Sequence, residues 1–469
     1  MKSASVSKVA TDTLALVLSS GAATLFQGIT TFGLSKLLTT ADFGAWREFV
    51  LCGTFVGVLH LGFADGLQVA WCSPARDRRA PTLGSGVRVL LSIQGAWVAV
   101  GLGLGIVAWR VEPFPFFFPT VGLFALTWNT STALQFYAQC RERFGQLSTF
   151  VILYPALLLA GAAVLVVAHA ATPLHLALAA CAAAGLSSLA LRARDARADR
   201  DATDPAPRLT ARETIGLGLP ILALNNAMIG MANFDKVAAG LLFPPRVFAT
   251  YAFASVLVVF IGSAIGAGSR VLLPAFARQA DAGTLETATT TSTTASILAW
   301  SVALIGYFPA AAVVGRFLPK YVPALPLARS LFVASLFFAV PQVVHMNACR
   351  ALRIERTYLK WTGWLLAGAL VAAWFVGRGV GLEGLAPLAI VVGVAWSASG
   401  ALLLKRRGTR TYTGRAIAAT IWCAVWFTVA TWALPPWRAA AVYILAAVPL
   451  WSIAGARARR RFHRDREPR

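Results

Sequence analysis

Fourteen apolar runs of membrane-spanning length occupy most of the chain. They lie near residues 13–34, 46–70, 86–109, 114–137, 147–169, 173–191, 214–234, 247–272, 287–314, 328–349, 358–377, 384–404, 415–434 and 437–456. A helix needs roughly 20 apolar residues to cross a hydrocarbon core about 30 Å thick. Composition points the same way. Of the 469 residues, 58% are hydrophobic and 13% charged, a balance foreign to soluble globular chains of this length. The expectation is an all-α, polytopic membrane protein of about fourteen transmembrane helices.

The formal net charge of +23 would suit a nucleic-acid binder, but its distribution does not. With a cytoplasmic N-terminus, 32 of the 42 Lys and Arg residues fall in the N-terminus, the even-numbered loops and the C-terminal tail. That is the positive-inside bias. It predicts a multi-pass protein of the cytoplasmic membrane with both termini cytoplasmic and no nucleic-acid partner. The tail Ala456-Arg-Ala-Arg-Arg-Arg-Phe-His-Arg464 then sits near anionic lipid headgroups. The six cysteines are scattered without a C-x-x-C pair, and read as reduced, small apolar residues with no metal site. The first run exceeds 20 residues and leads into a matching second one, so it reads as helix one rather than a cleaved leader.

Polar residues inside the apolar runs carry the functional signal. At about 100° per residue, Asn225, Asn226, Ile229, Gly230, Asn233 and Lys236 share one side of the seventh span. Asp235 points to the other side, because sequence neighbours do not share a helix face. Amides and a charge in hydrocarbon cost several kcal/mol unless they meet partners or water. The stripe is therefore expected to face another helix or a wet cavity. Arg47 and Glu48 open the second span, and either snorkel to water or stand at the rim of a cavity. The hydroxyls of Thr287–Thr294 are expected to bond their own helix carbonyls. His345 and Asn347 read as helix–helix hydrogen-bonding groups. Pro155, Pro220, Pro274, Pro309 and Pro341 mark kinks or breaks.

A faint internal repeat sets the domain organisation. Leu37-Leu38, Phe43 and Trp46 are echoed by Leu241-Leu242, Phe248 and Tyr251, and Cys140-Arg141 by Cys349-Arg350. Both halves start on the same side, so the repeat is parallel, with a pseudo-twofold along the membrane normal. The expected organisation is a six-helix lobe over 1–191, a cytoplasmic linker over 192–213, a second six-helix lobe over 214–404, and an extra helix pair with a basic tail over 405–469. The linker is the longest polar segment and holds two prolines.

The order of several short motifs resembles the polysaccharide and O-antigen flippases of the multidrug/oligosaccharidyl-lipid/polysaccharide exporter superfamily. The motifs are Leu37-Leu-x-x-x-Asp-Phe-Gly44, Leu61-Gly-x-x-Asp65-Gly-Leu, Asp235-Lys236, Tyr251-Ala-x-Ala254, Leu272-Leu-Pro274-x-Phe-Ala277 and Leu318-Pro-Lys-Tyr321-x-x-Ala-Leu-Pro326-Leu-x-Arg. The charged cluster Trp46-Arg47-Glu48 departs from the usual neutral start of the second helix. The resemblance implies a transporter and not an enzyme. It implies a flippase that moves a polyprenyl-diphosphate-linked oligosaccharide across the membrane by alternating access, for lipopolysaccharide or exopolysaccharide assembly, with polysaccharide assembly proteins as partners. A diphosphate needs cations and charge-assisted hydrogen bonds. Lys36, Arg47 and Lys236 are the candidates near the outer half; Arg141, Arg270 and Arg350 are those at the inner mouth. Asn225, Asn226, Asn233, Gln27, Trp46 and Tyr251 are candidates for binding sugar. Asp65, Glu48 and Asp235 are candidates to carry a coupling H⁺ or Na⁺; no other cofactor is expected. Three other readings are an ion-coupled drug antiporter of the same fold, a membrane glycosyltransferase or polymerase, and a non-transporting scaffold. The enzyme reading suffers from short outer loops without a carboxylate pair.

Reporter fusions test the charge-based topology. Fusions after Arg200 and Arg407 are expected to report a cytoplasmic position, and one after Pro323 an external one. A reversed result after Arg200 would overturn the two-lobe organisation along with the orientation.

Overall fold

The computed structural model describes residues 2–72, 80–108, 117–195, 209–268, 276 and 279–464, and among these no strand occurs. Each expected span coincides with helical structure. The first is α1 (Lys2–Leu37). The second comprises α2 (Thr40–Gly53), a 3₁₀ turn (Val56–His60) and α3 (Phe63–Cys72). The third to eighth are α4 (Leu83–Ala108), α5 (Phe117–Cys140), α6 (Phe144–Val167), α7 (Pro173–Asp195), α8 (Ala211–Leu242) and α9 (Pro245–Gly268). The ninth joins α10 (Leu285–Ala303) to α11 (Tyr307–Phe317). The tenth runs through α12 (Leu325–Val340), a single π turn (Pro341–His345) and α13 (Met346–Ala351). The last four are α14 (Glu355–Gly379), α15 (Leu382–Lys405), α16 (Gly414–Ala433) and α17 (Pro436–Arg464). Nine stretches among the described residues are long and apolar enough to cross a membrane outright, and ten if the bent second span counts as one. The protein is a multi-pass, all-α membrane protein.

Side chains seal the helix ends. Thr210 and Glu213 form a capping box at the start of α8: Glu213 Oε2 accepts from Thr210 N at 2.7 Å, and Thr210 Oγ1 accepts from Glu213 N at 3.3 Å. Thr39 and Thr413 cap α2 and α16 in the same position. Helix α8 continues through Pro220 without a break. The chain divides into two compact units, Met1–Gly230 with Phe243–Ala249, and Met231–Leu242 with Thr250–Arg469.

In the first unit α4 lies along α5, α1 along α6, and α7 against both α5 and α6. The second span is not one straight helix, as its apolar run suggests. Leu61 (φ +54°) and Gly62 (φ +83°) turn the chain in the left-handed region, and the two halves diverge by 62°. Glycine tolerates that conformation because it has no Cβ. Such a break frees backbone carbonyls in a setting where water cannot satisfy them. Amides from neighbouring helices replace the missing partners. Asn129 Nδ2 donates to Val56 O at 2.9 Å, and Gln94 Nε2 donates to Leu59 O at 3.0 Å. Asn129 also donates to Gln94 Oε1 at 3.1 Å, which joins the two into one cap. Glycines then let α3 and the start of α8 meet backbone to backbone. A Cβ on Gly62 would lie 2.7 Å from Leu219 N, one on Gly66 would strike Thr214 O, and one on Gly218 would strike Gly62 O.

Cys72 and Cys140 are disulfide-bonded, which corrects the expectation of six thiols. Their separation of 68 residues hid the pairing in the sequence. The ends of α3 and α5 bring the two Cα atoms to 4.8 Å, inside the range a disulfide requires.

In the second unit α12 packs on α15, α10 on α12, and α14 on α15. The C-terminal pair α16 and α17 docks onto the same unit. Tyr307, Phe308, Phe332, Phe427 and Tyr443 form a ring cluster between α11, α12, α16 and α17. Tyr443 OH donates to Ser301 O at 2.8 Å, and Trp451 Nε1 donates to Ser301 Oγ at 2.9 Å. Arg329 reaches Thr431 O at 3.3 Å and lies 4.7 Å from the ring centre of Trp432.

Thiol titration checks the disulfide. Protein isolated without reductant and then denatured is expected to show four thiols, rising to six after reduction. Six thiols before reduction would remove the bond between α3 and α5.

Candidate functional site

The buried carboxylate of Asp235 is the best-defined polar centre among the sequence-selected residues. It sits on α8 and accepts a hydrogen bond from Tyr251 OH at 2.7 Å. Tyr251 belongs to α9 and is fully buried, so its hydroxyl needs a partner, as the carboxylate does. The Lys236 ammonium donates to Ala232 O at 2.8 Å and approaches Asp235 Oδ1 at 3.5 Å. Helical geometry had placed Lys236 and Asp235 on opposite sides. The four-carbon lysine stem folds back along its own helix and brings the ammonium to the carboxylate. Its side chain is 17% exposed against 5% for Asp235. The arrangement is thus a buried acid held by a phenol, with a partly open cation beside it.

The three asparagines do not act as one group. Asn226 lies in the first unit's part of α8, donates to Leu222 O at 2.9 Å, and has a buried Oδ1 without a hydrogen-bond partner. Asn225 in the first unit and Asn233 in the second are half-buried. Two proposed sugar-stacking rings are instead core residues. Trp46 is 3% exposed and stacks on Phe49, with ring centres 5.6 Å apart. The Tyr251 ring is enclosed on all sides. Gln27 is exposed on α1.

The remaining cations differ in setting. Lys36 is exposed in the last turn of α1. Arg47 is half-buried on α2, and its Nε is buried without a hydrogen-bond partner. Arg141 is exposed, 5.5 Å from the Tyr137 ring centre, while Arg350 is half-buried at the end of the tenth span. Arg270 lies outside the described residues. Of the coupling candidates, Glu48 is half-buried on α2 and Asp65 is buried in the first turn of α3. Asp65 Oδ2 lies 3.8 Å from His60 Nε2 across the helix break, and His60 Nδ1 accepts from Gly62 N at 3.2 Å. That acceptor role leaves Nε2 to carry the imidazole proton toward Asp65. His60, Gln94 and Asn129 were missed by sequence reasoning; lone amides and a histidine inside apolar runs were the available signal. Among the described residues no group of three or more His, Cys, Asp and Glu gathers to hold a metal.

The threonine run behaves largely as expected. Thr290 and Thr294 bond carbonyls one turn back, and Thr289 does so while also donating to Arg410 O at 2.8 Å. Asn347 likewise donates to Val343 O within its helix, at 2.9 Å. His345 was expected to bond another helix, yet neither ring nitrogen has a hydrogen-bond partner.

No protein-family description and no curated protein sequence matches the chain. Solved transporter structures share its fold. The lipid II flippase MurJ in an inward closed conformation matches with a TM-score of 0.65 at 11% identity, covering 97% of this chain and 99% of that one. A mutant of the Vibrio cholerae MATE transporter VcmN matches with a TM-score of 0.58 at 15% identity, covering 86% and 97%. An outward-facing multidrug resistance MATE transporter of the MOP superfamily matches with a TM-score of 0.58 at 13% identity, covering 84% and 95%. The chain therefore has the fold of the MOP-superfamily transporters.

Tyr251→Phe is expected to lower stability by about 1.5–3 kcal/mol, the worth of a hydrogen bond to a charged group. Thermal unfolding in detergent measures it. An unchanged Tm would show that the Asp235 carboxylate does not depend on the phenol.

Proposed function

We propose that the protein is a flippase that carries a polyprenyl-diphosphate-linked oligosaccharide across the cytoplasmic membrane by alternating access, for the assembly of a surface polysaccharide such as lipopolysaccharide or exopolysaccharide. The observation that carries this reading is the extent of the match to MurJ. It spans 97% of the chain, a share too large to leave out the C-terminal helix pair, whereas the two MATE matches span 84% and 86%. That neighbour is a lipid II flippase, and the resemblance of the sequence motifs points to a lipid-linked substrate. The transporter neighbours also weigh against the enzyme reading.

The chemistry of the chain supports the substrate class. An ammonium has three donors. Those of Lys236 make one hydrogen bond to Ala232 and one long approach to Asp235, which leaves capacity for a phosphate oxygen. Arg47, Lys36, Arg141, Arg350 and Arg270 are further cations for the diphosphate, and Asn225, Asn226 and Asn233 supply amides for the sugars. Asp65, Glu48 and Asp235 are the proposed carriers of a coupling H⁺ or Na⁺. Membrane lipids and polysaccharide assembly proteins are the proposed partners.

Lys236→Ala is expected to leave protein level unchanged, because Asp235 keeps its bond from Tyr251. Surface glycan is expected to fall more than about tenfold, the loss that follows from removing a charge-assisted contact worth about 1.5–3 kcal/mol. Normal glycan in that variant would remove Lys236 from the binding role. A null strain that keeps its glycan but loses drug resistance would replace the flippase reading with a drug antiporter.

A further inference from the structure

The second unit contains a run of buried polar atoms that the proposed site does not use. Glu355, Tyr358 and Thr362 lie at i, i+3 and i+7 on α14, so they share one face. Glu355 Oε2, Tyr358 Oη and Thr362 Oγ1 are all buried without a hydrogen-bond partner in the protein. So are Trp396 Nε1 on α15 and both ring nitrogens of His345 at the π turn. Tyr358, Thr362, Trp396 and His345 are each 1% exposed or less.

These groups form one cluster. Tyr358 faces both Thr362 and Trp396 without reaching bonding geometry with either. The buried Cys349 thiol lies within electrostatic reach of Glu355 and of Tyr358. Tyr412 faces Tyr358 from the loop before α16 and bonds Ser397 Oγ at 2.9 Å. Its ring centre is 6.0 Å from that of His345. Gly400 gives the imidazole its room, since a Cβ there would strike Nδ1. Tyr412 lies in the loop between α15 and α16, where Thr409 and Thr411 are buried and Arg410 between them is exposed. Thr289 holds that segment through the Arg410 carbonyl.

Each buried polar group without a partner costs about 1–3 kcal/mol. Six such atoms together would cost an amount comparable to the whole stability of a folded domain, about 5–15 kcal/mol. A resident must therefore donate and accept hydrogen bonds. The walls specify its chemistry: imidazole, phenol and hydroxyl both give and take, and indole only gives. The one carboxylate stands at the end of the stripe. Single-turn π bulges are also frequent at functional sites.

We infer that the π turn of the second unit borders an internal water site, running from Glu355 past Tyr358, Thr362 and Trp396 to His345, with Tyr412 beside it. The ligand is water, the smallest neutral molecule that satisfies donors and acceptors alike. The titratable groups around it are Glu355, Cys349, Tyr358, Tyr412 and His345. A carboxylate at one end and an imidazole at the other give it the ends of a proton relay. The inference does not depend on the transported substrate.

Hydroxyl-radical footprinting of the intact protein by microsecond X-ray exposure in H₂¹⁸O tests it, because radicals formed from bound water label buried side chains beside them. Tyr358 and Trp396 are expected to label at least about tenfold faster than Tyr443, a buried tyrosine with a direct protein partner. Thr362→Val gives an independent sign. It lowers Tm if the hydroxyl bonds water, and raises Tm if the hydroxyl is buried dry. Labelling no faster than at Tyr443 overturns the inference, as does a raised Tm for Thr362→Val. Labelling suppressed by sodium chloride but not by choline chloride would assign the site to a cation instead of water, and overturn it as well.

Discussion

Hydrocarbon offers no hydrogen bonds, and that single fact governs where this chain departs from straight helix. A helix satisfies its own backbone, so a break must be repaired by side chains. At the second span the repair is explicit. Asn129 and Gln94 reach from α5 and α4 to the carbonyls that the turn at Leu61 and Gly62 releases. Polar residues that look like misfits in apolar runs are thus the condition for a bend in the membrane. At helix starts Thr39, Thr210 and Thr413 satisfy free backbone N–H groups with their own oxygens.

Buried charge follows a related logic. Asp235 is held by the hydrogen bond from Tyr251, and the ammonium of Lys236 stands 3.5 Å from its other oxygen. The phenol is fixed by the α9 core, whereas the lysine is tethered only to its own helix. The pair therefore divides into an enclosed phenol and a partly exposed ammonium. That asymmetry is what a site needs if an anion is to arrive, draw the cation toward itself and leave without unfolding its surroundings.

Much of this was legible in the sequence. The fourteen runs each coincide with helical structure because their length is set by membrane thickness, not by local propensity. Two of the acidic candidates, Asp235 on α8 and Asp65 on α3, are buried carboxylates beside polar side chains. What sequence could not supply were contacts that depend on distance through space. The Cys72–Cys140 bond joins residues far apart in the chain. The break at Gly62 hides in a run whose apolar residues continue on both sides. A helical wheel separates Asp235 from Lys236 because it tracks Cβ directions, and a long side chain can bend back past its own backbone. Trp46 and Tyr251 stand as candidates for binding sugar on sequence alone because aromatic type says nothing about which face is covered. His345 was read as paired because buried histidines usually are.

The bonds at Ser301 have a mechanical meaning. Its carbonyl and hydroxyl hold Tyr443 and Trp451 of α17, while the hydroxyl itself donates to Leu298 O at 2.7 Å, so the phenol and the indole are the groups that would be stranded if the helices parted in lipid. The final helices are then tied into the second unit by polar bonds as well as by the ring cluster at Phe427 and Tyr443.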